Sequence, residues 1–284
     1  AITAAMLIPV GLDGFAAAYP DRVFDVGIAE QHAVTMASGL AYAGLHPVVA
    51  VYATFLNRAF DQLLMDCALH GAGVTFVLDR AGVTGSDGAS HNGMWDMTLT
   101  SLVPRLRLAA PRDGEQVKKQ LREALEVSDG PTVLRFPKGD VADPLLAVRS
   151  AGDVDVLFEN AGDAVDLLVV GVGSFAGLAT EAGEKLAAHG RTVRVVDPRW
   201  VLPVSDDLVA LARAAGAVAV VEDNLVSGGV GAAVTLALRG ADVDVPVHTY
   251  GIPKQFLEHA SRGQLLEDLG LTSDQVVADL ERHL

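Results

Sequence analysis

The sequence predicts an α/β protein built as two doubly wound, mainly parallel sheet domains. Strand-sized apolar runs alternate with helix-periodic stretches along the chain, the pattern of parallel strands joined by right-handed crossovers. Half of the 284 residues are hydrophobic and a fifth are charged, so a sizeable core can be buried. Aromatics are few against abundant Ala, Val, Leu and Gly, which suits helices packed closely on a sheet.

In the first part, strands are expected near 2–6, 22–26, 47–51, 74–78, 106–109 and 132–136, with helices near 10–18, 29–44, 55–70 and 114–127. The helix opening at Ala29 carries small residues at Ala33, Ala37, Ser38 and Ala41, a face that another helix can approach closely. Such small apolar faces, left uncovered, predict a homodimer. Composition changes after Pro137: residues 139–163 lose periodicity and fill with Asp, Gly and Ala, which reads as a linker with one short strand. The predicted organisation is therefore a first domain over 1–145, a linker over 146–163 and a second domain over 164–284. The second is expected to hold strands near 166–171, 192–196, 217–221 and 246–249, helices near 174–189, 206–215, 229–239 and 273–282, and one antiparallel edge strand. Ala1 falls at the edge of the first strand, an abrupt start that predicts a part of a longer polypeptide.

A net charge of −15 argues against nucleic-acid binding, which needs a basic footprint. The charge is uneven: residues 1–150 hold 12 Lys+Arg and 16 Asp+Glu, a balance of −4, and the remainder hold 9 and 20, or −11. The arginines of the first part are thus the ones available to an anionic small molecule. The longest apolar runs, such as 165–173, fall short of a membrane span. The single cysteine, Cys67, lies in an apolar helical pattern and reads as a buried, reduced thiol. With no charged-then-apolar segment at the start, a cytoplasmic location is expected.

The stretch 25–39, DVGIAEQHAVTMASG, sets a lone carboxylate, Glu30, in the first turn of a helix that follows an apolar strand. On local pattern alone Glu30 complements the helix dipole, Tyr52 ends a strand and Phe55 fills a helix core. On the same terms Asp87-Gly88 is a turn, and Arg80, His91 and Lys138 are surface groups. The alternative is that an acid at the C-terminal edge of a parallel sheet faces a cofactor, and that the polar, glycine-bearing loop 85–91 after a strand carries function.

IAEQHAV, VYATFLNRAFDQ (51–62), LDRAGVTGSDGASHNG (78–93) and RFPKGD (135–140) occur in that order, followed by EDNLVSGGVGAAV (222–234) and YGIPKQFLEHAS (250–261). Together they resemble the 1-deoxy-D-xylulose-5-phosphate synthases, transketolase-like thiamine diphosphate enzymes, over essentially the whole chain. The resemblance implies a pyrimidine-binding domain followed by a transketolase C-terminal domain. It also implies a transferase that condenses pyruvate with glyceraldehyde 3-phosphate, releasing carbon dioxide, for isoprenoid and thiamine biosynthesis. Glu30 matches the glutamate that hydrogen-bonds the aminopyrimidine and activates the cofactor, and Phe55 the aromatic packed on that ring. Tyr52, Arg80 and Lys138 match phosphate-facing positions; Arg58, Asp87 and His91 match residues around the pyruvate-derived adduct and the acceptor hydroxyls. Lys138 stands where many relatives have arginine, keeping the charge but losing the bidentate fork. The family holds diphosphate and magnesium with a Gly-Asp-Gly motif, and none of the Asp-Gly pairs here, at 13, 87, 113 and 129, follows a glycine. Mg2+ is therefore assigned to a missing N-terminal diphosphate-binding segment, no metal ligand is assigned in this chain, and the chain alone is expected to be inactive.

Two other readings are a β-type subunit of a 2-oxo acid dehydrogenase, and a non-catalytic dimerisation module on the same scaffold. Gly171-Val172-Gly173, with Asp197 some way on, mimics a dinucleotide fingerprint, but its third glycine is mis-spaced and Asp197 precedes a Pro-Arg-Trp run that suits a domain contact. The run Gly228–Gly231 reads as a tight loop before a helix rather than a phosphate cradle.

Overall fold

Apolar runs become strands here wherever both of their faces are covered. The computed structural model describes residues 1–284. In the first unit the strands are β1 (Ile2–Thr3), β2 (Phe24–Asp25), β3 (Val48–Tyr52), β4 (Thr75–Asp79), β5 (Arg107–Ala109) and β6 (Thr132–Arg135). All of their mutual pairings are parallel. Phe76, Leu78, Leu108 and Leu134 are fully buried, as a parallel sheet covered on both faces requires. Helices Asp13–Ala18, Glu30–Tyr42 and Gly114–Leu125 connect them, with a helical stretch over 53–68 that tightens at Asn57–Ala59 and widens into π turns at Leu63–Ala68. Asp113 caps the Gly114–Leu125 helix, its carboxylate accepting from the Gln116 N–H at 2.9 Å. Cys67 is fully buried, and burial pushes its thiol up to about 12.

The second unit contains β7 (Arg149–Ala151), β8 (Val154–Glu159), β9 (Val165–Gly171), β10 (Val193–Asp197), β11 (Trp200–Leu202), β12 (Ala215–Leu225) and β13 (Val247–Ile252). Its sheet runs β13-β12-β9-β10-β8-β7, parallel from β13 to β10 and antiparallel at β8 and β7. Strand β11 leaves it and pairs antiparallel with β5, so the first sheet runs β11-β5-β6-β4-β3-β1-β2. Helices Ala176–Ala188, Asp206–Arg213, Val230–Gly240, Arg262–Asp268 and Ser273–Leu280 complete the unit.

The α/β class with two mainly parallel sheets is thus as the sequence predicts, and three details differ. The stretch 139–163 holds two strands where one was expected, because Val154, Val156 and Leu157 are buried against the second sheet and draw a hairpin onto its edge. The second sheet consequently ends in an antiparallel hairpin, with β8 against β10 and β7 at the edge, where a single antiparallel strand was expected. The short helices Asp96–Thr100 and Arg262–Asp268, and strand β11, have no counterpart in the sequence reading; each is too brief to show a period.

The two units share their interior. One apolar cluster runs from Ile2, Val49 and Phe76 through Val170, Val196 and Val218. Charges are buried at the seam. Arg112 Nη1 donates to Asp155 Oδ2 at 2.8 Å and Asp197 Oδ2 at 2.7 Å, and its Nε to the Leu145 carbonyl at 2.8 Å. Burial pushes the Asp197 carboxyl up to about 6 against the pull of Arg112.

Candidate active site

Because β2, β3, β4 and β6 are parallel, the residues just past their C-terminal ends gather on one edge of the first sheet, the edge where such folds place their sites. Tyr52 closes β3 and is buried, and its ring stacks on Phe55 with centroids 5.8 Å apart and planes 13° apart. The His91 ring meets Phe55 edge-on at 5.8 Å. The Arg80 guanidinium lies 4.2 Å above the Tyr52 ring, a cation–π contact that also orients its fork. Arg80 follows β4 with φ +57, a conformation unusual for a side chain with a Cβ, held as its N–H donates to Asp79 Oδ1 at 2.7 Å.

Asp87 ties this cluster together. Its Oδ2 accepts from Arg80 Nη1 at 2.7 Å and its Oδ1 from Lys138 Nζ at 2.6 Å. The Lys138 bond, aided by Arg80, holds its carboxyl below the ordinary carboxylate range. Arg80 Nε is buried with no acceptor, so the guanidinium keeps unused donor capacity.

Glu30 stands apart from this cluster, at the first position of the Glu30–Tyr42 helix and 5 % exposed. Its salt-bridge partner is Arg58, whose Nη1 lies 3.8 Å from Oε2 and whose side chain is mostly exposed. Ile28, Ala29, Glu30, Gln31 and Arg58 line a cleft of about 300 Å³. Phe55 and Arg58 lie one helical turn apart on the 53–68 stretch, which links the two groups. The structure therefore brings Tyr52, Phe55, Arg80, Asp87, His91 and Lys138 into one contacting cluster, and sets Glu30 with Arg58 at a neighbouring cleft.

Beneath the site lies a buried ionic layer that the sequence reading left unassigned. Arg135, at the end of β6, forks onto Asp96 through Nε (2.9 Å) and Nη2 (3.2 Å), and its Nη2 also donates to the Asp223 carbonyl at 2.9 Å. Glu222 accepts from the N–H groups of Val230 and Gly231 at 2.8 and 2.9 Å, and burial pushes its carboxyl up to about 7. The signal in the sequence is Glu222-Asp223-Asn224 closing an otherwise apolar strand, since charges inside such a run must be paired.

The two glycine motifs have structural explanations. Gly173, at φ +60, turns the chain against Ala110 of the first unit, and Asp197 is spent on Arg112. The first two N–H groups of the Val230–Gly240 helix already donate to the buried Glu222 carboxylate, which stands where an external phosphate would have to bind.

Comparison with known proteins agrees with this architecture. Residues 1–144 match the family model described as transketolase, pyrimidine binding domain, and residues 158–276 that described as transketolase, C-terminal domain. A protein of Kitasatospora griseola named 1-deoxy-D-xylulose-5-phosphate synthase 2 is 61% identical over 99% of this chain, which covers 45% of that protein. A Mycobacteroides abscessus protein named 1-deoxy-D-xylulose-5-phosphate synthase is 58% identical over 97% of the chain and is covered to 43%. The chain thus spans less than half the length of these curated relatives. A solved structure described as an inactive beta4 tetramer of a split-gene transketolase superposes with a TM-score of 0.84 at 29% identity, covering 99% of this chain and 90% of that one. With the pyrimidine-binding model matched over half of its residues and the C-terminal model over much of the rest, the chain belongs to the transketolase family and is similar to 1-deoxy-D-xylulose-5-phosphate synthases over nearly its whole length.

Proposed function

We propose that this chain supplies the pyrimidine-facing and acceptor-facing half of a thiamine diphosphate-dependent transferase. The whole protein condenses pyruvate with glyceraldehyde 3-phosphate to 1-deoxy-D-xylulose 5-phosphate and releases carbon dioxide. The observation that carries the reading is a pairing on one sheet edge: a buried carboxylate at an open cleft, and a two-cation cluster reached from it through Phe55. The names of the relatives support the same reading.

The residues present fit the pyrimidine half of thiamine diphosphate. Glu30 brings a buried acceptor to the cleft, which suits a protonated ring nitrogen, and half-buried Phe55 offers a ring face nearby. When bound, the cofactor would supply an electron sink that lets the former carbonyl carbon of pyruvate act as a nucleophile once carbon dioxide has left. Glu30 would hold a proton on the pyrimidine ring nitrogen, and its burial would keep water from competing for that bond. Arg80 and Lys138 attract the acceptor's phosphate, and Arg58 balances the charge of Glu30. Asp87 serves as the internal counter-ion, so an arriving phosphate competes with it for both cations. Asp87→Asn is accordingly expected to bind inorganic phosphate about three- to ten-fold more tightly by calorimetry; weaker binding would mean that Asp87 only orders the two cations.

Magnesium and the diphosphate are assigned to a segment beyond this chain, in keeping with its coverage of the relatives. Exposed Phe15, Tyr19, Phe24 and Ile28 concentrate in the first unit and favour a homodimer. No helix is long and apolar enough to cross a membrane, and a cytoplasmic location is proposed with the reduced Cys67. The test is product identity. The longer protein, given pyruvate and glyceraldehyde 3-phosphate with thiamine diphosphate and magnesium, is expected to yield a pentulose phosphate by mass spectrometry. Acetyl transfer to a lipoyl acceptor in its place would assign the 2-oxo acid dehydrogenase reading.

A further inference from the structure

The loop that carries Asp87 and His91 belongs to the first unit, yet its stem is fastened by the second. Val83 is held on both of its polar groups: its N–H donates to Asp223 Oδ1 at 3.0 Å, and its carbonyl accepts from Arg262 Nη1 at 2.6 Å. Arg262 Nη2 and Asp223 Oδ2 close the figure as an ion pair at 2.7 Å, with Asp223 fully buried and Arg262 a quarter exposed. The loop is shaped to admit these groups. A Cβ at Gly82, where φ is +73, would stand 2.1 Å from the Asp223 carboxylate, and one at Gly85, at φ +76, would stand 2.5 Å from the backbone nitrogen of Arg262. No side chain other than hydrogen fits either place. Across the loop base, Asn92 Oδ1 accepts from the Thr84 N–H at 2.8 Å and hydroxyl at 3.1 Å. Beyond that base the loop has few anchors of its own: Asp87 to its two cations, and the Ser90 carbonyl to Thr54 at 3.1 Å.

We infer that Arg262 and Asp223 are a positioning pair through which the second unit sets the loop bearing Asp87 and His91, and so the acceptor end of the site. The pair touches neither cofactor nor acceptor; it acts through the Val83 peptide. Its geometry needs a guanidinium, since one Arg262 nitrogen serves the Val83 carbonyl while the other serves Asp223, and a lysine can satisfy only part of that. Truncating Arg262 leaves a buried carbonyl and a buried carboxylate short of a partner, and the cheapest relief is for the loop stem to move toward water. The inference rests on the proposed function for its kinetic consequence alone; the fastening itself is independent of it.

Hydrogen–deuterium exchange read by mass spectrometry tests the pair in the protein and its Arg262→Met, Arg262→Lys and Arg262→Met/Asp223→Asn variants. The Met variant is expected to exchange the amides of 84–92 about ten-fold faster or more, with β4 and β12 unchanged and Lys recovering part of the protection. The double variant removes the uncompensated carboxylate and should leave the loop fast although the fold is intact. In the longer protein, Arg262→Met should raise KM for glyceraldehyde 3-phosphate about ten-fold while KM for pyruvate stays within about two-fold, and Lys should restore part of it. Unchanged loop exchange, a uniform rise that includes β4 and β12, or equal rises in both KM values would overturn the inference. If the unaltered longer protein fails to condense the two substrates, the functional reading falls, and the exchange comparison alone decides the clamp.

Discussion

Glu30→Gln is expected to lower turnover of the intact protein by about 100-fold or more while leaving its fold in place. The substitution keeps the size of the side chain and replaces a charge-bearing acceptor with an amide that cannot hold a proton. Its structural cost is bounded. Loss of an acid in the first turn of a helix costs about 0.3–1 kcal/mol, and Arg58, 3.8 Å away and largely exposed, is left in water rather than stranded. A change of that size cannot abolish an activity by unfolding the protein, so a collapse in turnover with an unchanged melting temperature assigns Glu30 to the chemistry. Turnover near that of the unaltered protein would return Glu30 to its local role as a helix-dipole acid, and would favour the non-catalytic module.

Arg135→Met is expected to be strongly destabilising, costing about 3–5 kcal/mol. Arg135 is 2 % exposed and is the ion-pair partner of Asp96, itself buried. Removing the guanidinium strands that carboxylate and also releases the Asp223 carbonyl of the second unit. Desolvation is what makes the number large: the same pair on the surface would contribute about 0–1 kcal/mol. Urea unfolding followed by circular dichroism reads the change as a shift in midpoint. Adding Asp96→Asn to Arg135→Met removes the stranded charge and should recover a substantial part of the loss. A single variant within about 0.5 kcal/mol of the unaltered protein would show that the layer is solvated and carries little.

The fold class was legible because parallel strands buried on both faces must be written as apolar runs, and runs such as 165–171 and 74–78 admit little else. The β7–β8 hairpin was less legible, since Asp155 breaks the apolar run of β8 and Gly152 turns the chain after only three residues of β7. Strand β11 could not be placed from local pattern at all: its partner is β5, far earlier in the chain, and only the tertiary arrangement brings them together. The site divides in the same way. Glu30, Tyr52, Arg80 and Lys138 sit at strand ends or in first turns, where a polar residue after an apolar run invites notice. Asp96, Arg135, Asp223 and Arg262 serve one another across units, and a sequence read locally shows each as an isolated charge.

Under the proposed function this chain completes an enzyme in which carbon dioxide loss from pyruvate is coupled to a phosphorylated aldehyde. The most direct measurement is carbon dioxide release from labelled pyruvate by the longer protein with thiamine diphosphate and magnesium, with and without glyceraldehyde 3-phosphate. Release that the aldehyde stimulates about ten-fold or more is expected. Release that ignores the aldehyde, or none in either condition, would contradict it.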